Sequence, residues 1–389
     1  MQNLLRWLGL APEAKDAPVP SRLALYLAGE PVWTARDYAG LARQGFQRNA
    51  VVHRAVRLVA EAAASLPLTL LDRGRAVEIP ALSGLIARPN PRQAGTAFLE
   101  TLYSHLLVSG NAYAQAVAID GVPRELHALR PDRTRVVPGP DGWPAAYDYA
   151  VGGETLRFDQ GGDPLPPILH LSLFHPLDDH YGLAPIEAAA PALDLHDAAG
   201  AWNKALLDNA ARPSGALVFA AGGSNLSDQA FTRLKAELET NYQGSANAGR
   251  PLLLEGGLDW RPFSLSPKDM DFVQARAAAA REIALAFGVP PLLLGLPGDN
   301  THANYAEANR AFYRQTVIPL AKRTAEALVA WLGPAFAPGG TLALEPDLDA
   351  IEALAQERES LWRRVGAATF LSDDEKREAV GYGRRQPAR

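Results

Sequence analysis

The alternation of apolar and polar positions divides the chain into a mixed first half and a mainly helical second half. Leu4, Leu5, Trp7 and Leu8 have the spacing of a short amphipathic turn, and Pro12 to Pro20 reads as a linker. Asn49 is placed to cap a helix whose apolar side carries Val51, Val52, Ala55, Val56, Leu58, Val59 and Ala62; it ends near Ser65, before Pro67. Leu66 to Leu71 reads as a strand. A second helix starts at Thr96, with Phe98, Leu99, Leu102, Leu106 and Leu107 inward, and Gly110 stops it. Ala112 to Leu173 is mostly β. Asp120–Gly121 predicts a two-residue hairpin turn, Asp141–Gly142 and Gly152–Gly153 mark further turns, and a Pro-rich loop at Asp163 to Pro167 precedes a strand over Ile168 to Leu173.

From Gly182 the pattern becomes helical. Pro185 suits a first helical position, and Pro191 either kinks the Ala- and Leu-rich helix that runs to Ala210 or marks its true start. Arg212 to Leu265 reads as a small α/β insert: a strand at Ala216 to Ala220, a helix from Ser227 to Tyr242, and strands at Leu252 to Leu254 and Leu258 to Phe263. Ser266-Pro267-Lys268-Asp269 supplies the cap of the next helix, which Gly288 and Pro290–Pro291 end. A polar loop over Leu292 to Ala303 follows. Asn304 and Glu307 open a long helix running to Leu332, with a kink at Pro319 and a stop at Gly333–Pro334. Two short helices close the chain, from about Asp347 to Val365 and from Ser372 to Val380, the last with a Ser372/Glu375 capping box.

Composition narrows the function classes. Lys plus Arg is 38 and Asp plus Glu is 43, a formal net charge of −5, which gives no support to tight, salt-driven nucleic-acid binding by the whole chain. There is no cysteine, which removes disulfides, thiolate nucleophiles, zinc fingers and iron–sulfur clusters, and fits a reducing compartment. The most apolar long stretch, Val273 to Leu296, carries Arg276, Arg281, Glu282 and two prolines, so no membrane span is expected. Met1 to Leu10 is too short for a signal-peptide core and lacks a small-residue cleavage site.

The chemistry-bearing motifs are few. Gly-Lys occurs nowhere, so no phosphate-binding P-loop can be read, and G-x-G-x-x-G, G-x-S-x-G and H-E-x-x-H are absent. One metal-like cluster is present: His170, His175, Asp178, Asp179 and His180. Imidazoles and carboxylates together can hold a divalent ion, which makes a metal-dependent hydrolase the alternative function; a polar loop joining a strand to a helix is the plain reading. Lys268, Arg276 and Arg281 make no tight stripe in one chain, but in a ring of subunits each would become a circle of positive charge able to touch a phosphate backbone weakly at many points. On the family resemblance set out below, the polar loop residues Asp299, Asn300, Thr301, His302 and Asn304 could touch DNA without base readout. No catalytic constellation, metal site or cofactor motif stands out.

Ordered strings of the sequence carry a family resemblance. They are NAVVHRAVRLVAEAAASLPLTLL at Asn49 to Leu71, FLETLYSHLLVSGNAYAQAV at Phe98 to Val117, ELHALRPDRTRVV at Glu125 to Val137, DDHYGLAPIEAA at Asp178 to Ala189, NAARPSGAL at Asn209 to Leu217, NAGRPLLLEGGLDW at Asn247 to Trp260, AREIALAFGVPPLLLG at Ala280 to Gly295, and FLSDDEKREAVGYG at Phe370 to Gly383. Together they resemble the HK97-type portal proteins of tailed phages, over roughly residues 49 to 383. The Ala-, Arg- and Pro-rich text is also similar to the portals of alphaproteobacterial prophages and gene transfer agents.

The resemblance implies a portal-like α+β fold. Its parts would be an N-terminal arm and linker (1–48), the first part of an α/β wing (49–184), a stem helix (185–211), a small α/β clip (212–265), a second stem helix (266–288), a tunnel loop (289–303), a long kinked wing helix (304–340) and a reduced helical crown (341–389), shorter than in larger relatives. It also implies a non-enzymatic homo-oligomeric ring, usually of twelve subunits, at one capsid vertex of a virion or phage-like particle assembled in the bacterial cytoplasm. Double-stranded DNA would pass through the ring without sequence specificity. The major capsid protein would surround it, and the clip would dock the terminase large subunit and then a head–tail adaptor, with Arg233, Lys235, Arg250, Asp259 and Arg261 as candidate contacts. A non-portal adaptor is the third reading, but the helix pair around an insert would then have no purpose.

Overall fold

The structure, a computed structural model, describes residues 33–161, 165–208, 215–219, 258–262, 272–297 and 301–382, together with residues 229, 232 and 233. A short helix α1 (Tyr38–Leu41) runs into a π-helical turn (Ala42–Gln47) and then α2 (Ala50–Ala64). Next come β1 (Leu68–Asp72), β2 (Arg75–Ala76), α3 (Pro80–Ala87) and α4 (Gly95–Ser109). Six strands follow: β3 (Asn111–Ile119), β4 (Val122–Leu129), β5 (Thr134–Pro138), β6 (Pro144–Val151), β7 (Glu154–Asp159) and β8 (Ile168–Ser172). The helical half begins with α5 (Pro185–Ala188) and α6 (Ala190–Asp208), then β9 (Gly215–Phe219), β10 (Leu258–Pro262) and α7 (Phe272–Ala286). It continues through α8 (His302–Phe312), a π-helical turn (Tyr313–Val317) and α9 (Ile318–Phe336). The last elements are β11 (Leu342–Pro346), α10 (Ala355–Ala367) and α11 (Asp373–Ala379).

Among the described residues all strand pairing is antiparallel. The sheets have the orders β4-β3-β8, β5-β6-β7 and β11-β1-β2, with β9 and β10 forming a separate ribbon. The β3–β4 turn is the expected pair, Asp120 (φ +52°) and Gly121 (φ +74°), both left-handed as such a turn requires. The main core lies where α2, α4, α7 and α9 meet; Val56, Leu102, Ile283, Val317 and Leu332 are all fully buried there. A second cluster, Tyr113, Leu129, Val136, Tyr147 and Ile168, joins the two strand-rich sheets. α9 clamps the β8 region: Trp331 Nε1 donates to the Pro166 carbonyl (2.7 Å) and Arg323 to that of Ser172 (2.6 Å).

Several expectations shift on contact with the structure. Helix α9 passes through Gly333–Pro334 and ends at Phe336. Ala330, four residues before Pro334, is exposed, so the carbonyl deprived of an N–H partner is open to water and the helix need not stop. Just before Pro319, where the sequence predicts a kink, the helix passes through a π-helical turn (Tyr313–Val317). α8 opens two residues before Asn304, because Thr301 is the N-cap and accepts from the Asn304 N–H (3.2 Å). The helix expected from Asp347 is preceded by β11, which pairs with β1, and by two short 3₁₀ turns. The segment read as a crown therefore starts with a strand paired to β1. The helix from Ser227, the strand at Leu252 to Leu254 and the Ser266 cap lie outside the described residues.

Two polar anchors fix the helical half to the rest. Buried Asn49 caps α2 by accepting from the Val51 and Val52 N–H groups (3.0 and 3.2 Å). Its amide nitrogen donates to Asp197 Oδ1 of α6 (2.8 Å) and lies 2.9 Å from His196 Nδ1. Gln44 donates to the other Asp197 oxygen (2.7 Å), and Thr34 binds Asp194. Partial burial pushes the Asp197 carboxyl up, but hydrogen bonds from His196, Asn49 and Gln44 outweigh it and hold it below its ordinary value. The second anchor is backbone to backbone. Gly110 (φ +74°) ends α4 and Leu173 donates to its carbonyl (2.8 Å); a Cβ on Gly110 would sit 2.2 Å from the Gly182 oxygen. Asn111 Oδ1 takes the Gly182 N–H (2.8 Å) and faces His170 Nε2 (3.0 Å), while the His170 ring stacks on Tyr113 (4.3 Å between centroids).

These anchors generate three predictions. Gly110→Ala combines a left-handed strain with a backbone clash and should lower stability by at least ~2 kcal/mol in urea denaturation. Gly74→Ala, at φ +75° with open space around its Cβ, meets the strain alone and should lose less; equal losses would contradict the close approach. Asn49→Ala removes a cap and strands buried partners, for a loss of about 2–4 kcal/mol; a loss below 1 kcal/mol would show that the Asn49 amide does not anchor α6. Burial pushes both His105 and His170 down to about 4. A lowered histidine favours the folded state most when neutral, so its contribution is full above pH ~6.5 and shrinks as pH falls towards ~4. The melting temperature should therefore drop between pH 6.5 and 4.5, with a shallower drop in His170→Gln; parallel profiles would contradict this.

Candidate functional site

The parts that the resemblance assigns to a channel are α6, α7, the ribbon between them and the loop to α8. Helices α6 and α7 run antiparallel, as three contacts in reversed order show. Trp202 lies 5.4 Å from the Phe272 ring, Arg276 lies beside Gly200, and Arg276 Nε donates to His196 Nε2 (3.3 Å). Both ring nitrogens of His196 thus face nitrogen donors, Arg276 at Nε2 and the Asn49 amide at Nδ1, with Asp197 Oδ1 3.6 Å from Nδ1. Buried Leu193, Ala279 and Ile283 fill the seam between the helices and the core. Beyond the pair, β9 and β10 are in register from Gly215 opposite Pro262 to Phe219 opposite Leu258, so the insert leaves and returns as a two-stranded ribbon.

At its other end α7 stops at Gly288 (φ +64°), whose carbonyl accepts from the Thr316 hydroxyl (2.6 Å) of the π-helical turn. A 3₁₀ turn (Pro291–Leu294) ends on Gly295 (φ +71°). Arg281 reaches from α7 to the Pro297 carbonyl and so ties the loop back onto the helix that precedes it. The loop therefore leaves from a latch on the long helix and returns to that helix at the Thr301 cap.

The candidate basic residues do not form one row. Arg276 is exposed at its edge but turned across the helix pair to His196, and Arg281 is engaged by the loop. Thr301 and Asn304 sit exposed at the start of α8; His302 opens that helix. Lys268, Asp299 and Asn300 lie outside the described residues, as do Lys235 and Arg250 of the insert. Asp259 and Arg261 fall on β10, opposite Val218 and Ala216, and Arg233 is an exposed helical residue.

The metal-like cluster is corrected. His170 is held inside the β3–β8 region by Asn111, Tyr113 and Tyr147. His175 Nδ1 accepts from the Leu177 N–H (3.0 Å), and Asp178 Oδ1 accepts from those of His180 and Tyr181 (2.8 and 2.9 Å). These side chains organise a turn, and among the described residues no group of His, Asp and Glu converges as metal ligands would. The hydrolase reading thus has no support. The residue that sequence reasoning missed is His196. Its signal was present, a histidine within the Ala- and Leu-rich run of α6, but its partners Asn49 and Arg276 lie 147 and 80 residues away in sequence.

Comparison with known proteins bears on the whole arrangement. The phage portal protein family model matches residues 50–381. A protein of Rickettsia bellii is 42% identical over 339 residues, covering 86% of this chain and 87% of its own. A chain from the neck of a native gene transfer agent particle, computed with C12 symmetry, is 55% identical with a TM-score of 0.69, covering 92% of this chain and 97% of that one. An HK97 family phage portal protein from Corynebacterium diphtheriae shares the fold at 18% identity, with a TM-score of 0.57 over 82% of this chain and 98% of that one. From the Asn49-capped helix to the last turn of α11, through paired helices that bracket a ribbon, the chain belongs to the phage portal protein family.

Proposed function

We propose that this chain assembles into a ring of twelve copies at a single capsid vertex of a virion or gene transfer agent particle, and that double-stranded DNA passes through that ring. The observation that carries the reading is the antiparallel α6–α7 pair, with a ribbon at one end and a latched loop at the other. The C12 neck of a relative 55% identical to this chain supports the subunit number. The pair serves as the stem, the insert as the clip and the 289–303 segment as the tunnel loop.

The chain's role is mechanical and non-enzymatic. It calls for no cofactor, and the driving ATPase is a separate protein. Assembly takes place in the bacterial cytoplasm. The clip docks the terminase large subunit first and a head–tail adaptor afterwards, with Arg233, Lys235, Arg250, Asp259 and Arg261 as contact candidates, while the wing meets the major capsid protein. DNA meets Lys268, Arg276, Arg281 and the loop residues Asp299 to Asn304 without base readout. A net charge of −5 suits passage, because each phosphate neutralised by the wall adds salt-dependent affinity and resists sliding. Among the described residues no helix is long and apolar enough to cross a membrane.

Negative-stain electron microscopy with mass photometry of the purified chain should show rings of about twelve 41.7 kDa copies with a hole that admits a duplex; a protein that stays monomeric both alone and when co-expressed with its capsid protein would overturn the reading. Arg281→Ala frees the loop from α7. It should preserve rings but lower nuclease-protected DNA per particle several-fold; unchanged DNA content would remove Arg281 from the translocation path.

A further inference from the structure

Among the described residues, one face of α6 is left largely exposed, although the Trp202 ring at its end also meets Phe272. Pro191, Leu195, Ala198 and Trp202 are all exposed and all uncharged, at helical spacings of four, three and four. At about 100° per residue they fall within an arc of about 60°. Leu195 is 49% exposed and Trp202 45%, large values for apolar side chains on a helix whose other face is buried. On α7, Val273 (74% exposed) and Ala277 form a smaller apolar flank. The two helices are antiparallel and right-handed, so this flank faces the opposite side of the pair from the α6 stripe. The heights also match: Trp202 is level with Phe272 and Gly200 with Arg276, which sets Ala198 near the level of Ala277 and Trp202 near that of Val273.

We infer that the α6 stripe of one copy packs against the Val273–Ala277 flank of α7 in the next copy. The inference rests on the ring reading and names the surfaces that close the ring at the stem. Closure by rotation needs two different patches on opposite sides of each subunit, each meeting the other on a neighbour. The stripe and the flank are such a pair, and the small side chains of Ala198 and Ala277 permit close approach of the two helices at the contact. An uncharged stripe ending in tryptophan does not suit a phosphate backbone, so DNA is not its occupant. Gln274 and Arg281 lie on a different face of α7, outside this contact.

The natural absence of cysteine makes the test direct. Ala198→Cys, Ala277→Cys and the double variant are purified, examined for rings by microscopy, oxidised with copper phenanthroline and run on non-reducing gels. The double variant should give a ladder of covalent multimers continuing well beyond the dimer, while each single variant runs as monomer. Rings of the double variant that stay monomeric on the gel would overturn the contact while leaving the ring reading intact. Dimers from either single variant, or a ladder that stops at the dimer, would indicate a back-to-back contact and overturn it as well. Absence of rings in the unmodified chain, both alone and when co-expressed with its capsid protein, would instead defeat the ring reading itself. As a second measurement, Ala198→Trp should keep the monomer's melting temperature within a few degrees while reducing ring yield at least tenfold; normal ring yield would overturn the contact.

Discussion

The buried amide of Asn49 ties the α6–α7 pair to the start of the main core. It caps α2 with its oxygen and reaches α6 with its nitrogen, so one side chain joins two helices far apart in sequence. Asp197, Gln44 and His196 complete the group, and Arg276 extends it to α7. A buried polar group without partners would weaken the core; with all partners present it specifies one arrangement of three helices. Hydrophobic contact between Leu193, Ala279 and Ile283 supplies attraction along the same seam but fixes the register less sharply.

The loop between α7 and α8 follows from a related constraint at the far end of α7. Gly288 must be glycine twice over, for its positive φ and because a Cβ would lie 2.6 Å from the Thr316 hydroxyl. That close approach lets Thr316 bind the Gly288 carbonyl from a π-helical turn, two residues before Pro319. The stretch before Pro319, read in the sequence as a simple kink, is thus also where the end of α7 docks.

Local signals carried most of the elements. Asn49, Gly110, Asp120–Gly121, Pro185 and the Ser372/Glu375 box each act within a few residues of themselves, and each appears where its chemistry places it. Signals that depend on distant partners were illegible. β11 is a short run that becomes a strand only because β1 offers it an edge. Pro334 would end an isolated helix, yet here the helix runs two residues past it against the core. The histidine-rich loop misled for the same reason: five metal-like side chains close in sequence are separated once β8 carries His170 inward and the turn takes the rest.

On the proposed function, charge on the α6–α7 pair bears on how the channel would work. Arg276 spends its hydrogen bonding across the helix pair and Arg281 on the loop carbonyl of Pro297. Each guanidinium therefore keeps its charge while its donors are partly committed inside the chain. A phosphate passing such a group feels long-range attraction without the bidentate contact that would arrest it. On the proposed function, this separates guidance from grip, and it follows from intrachain hydrogen bonds alone. A channel lined with free arginines would hold the duplex at every step, whereas one whose arginines brace its own helices can stay rigid and let the DNA slide.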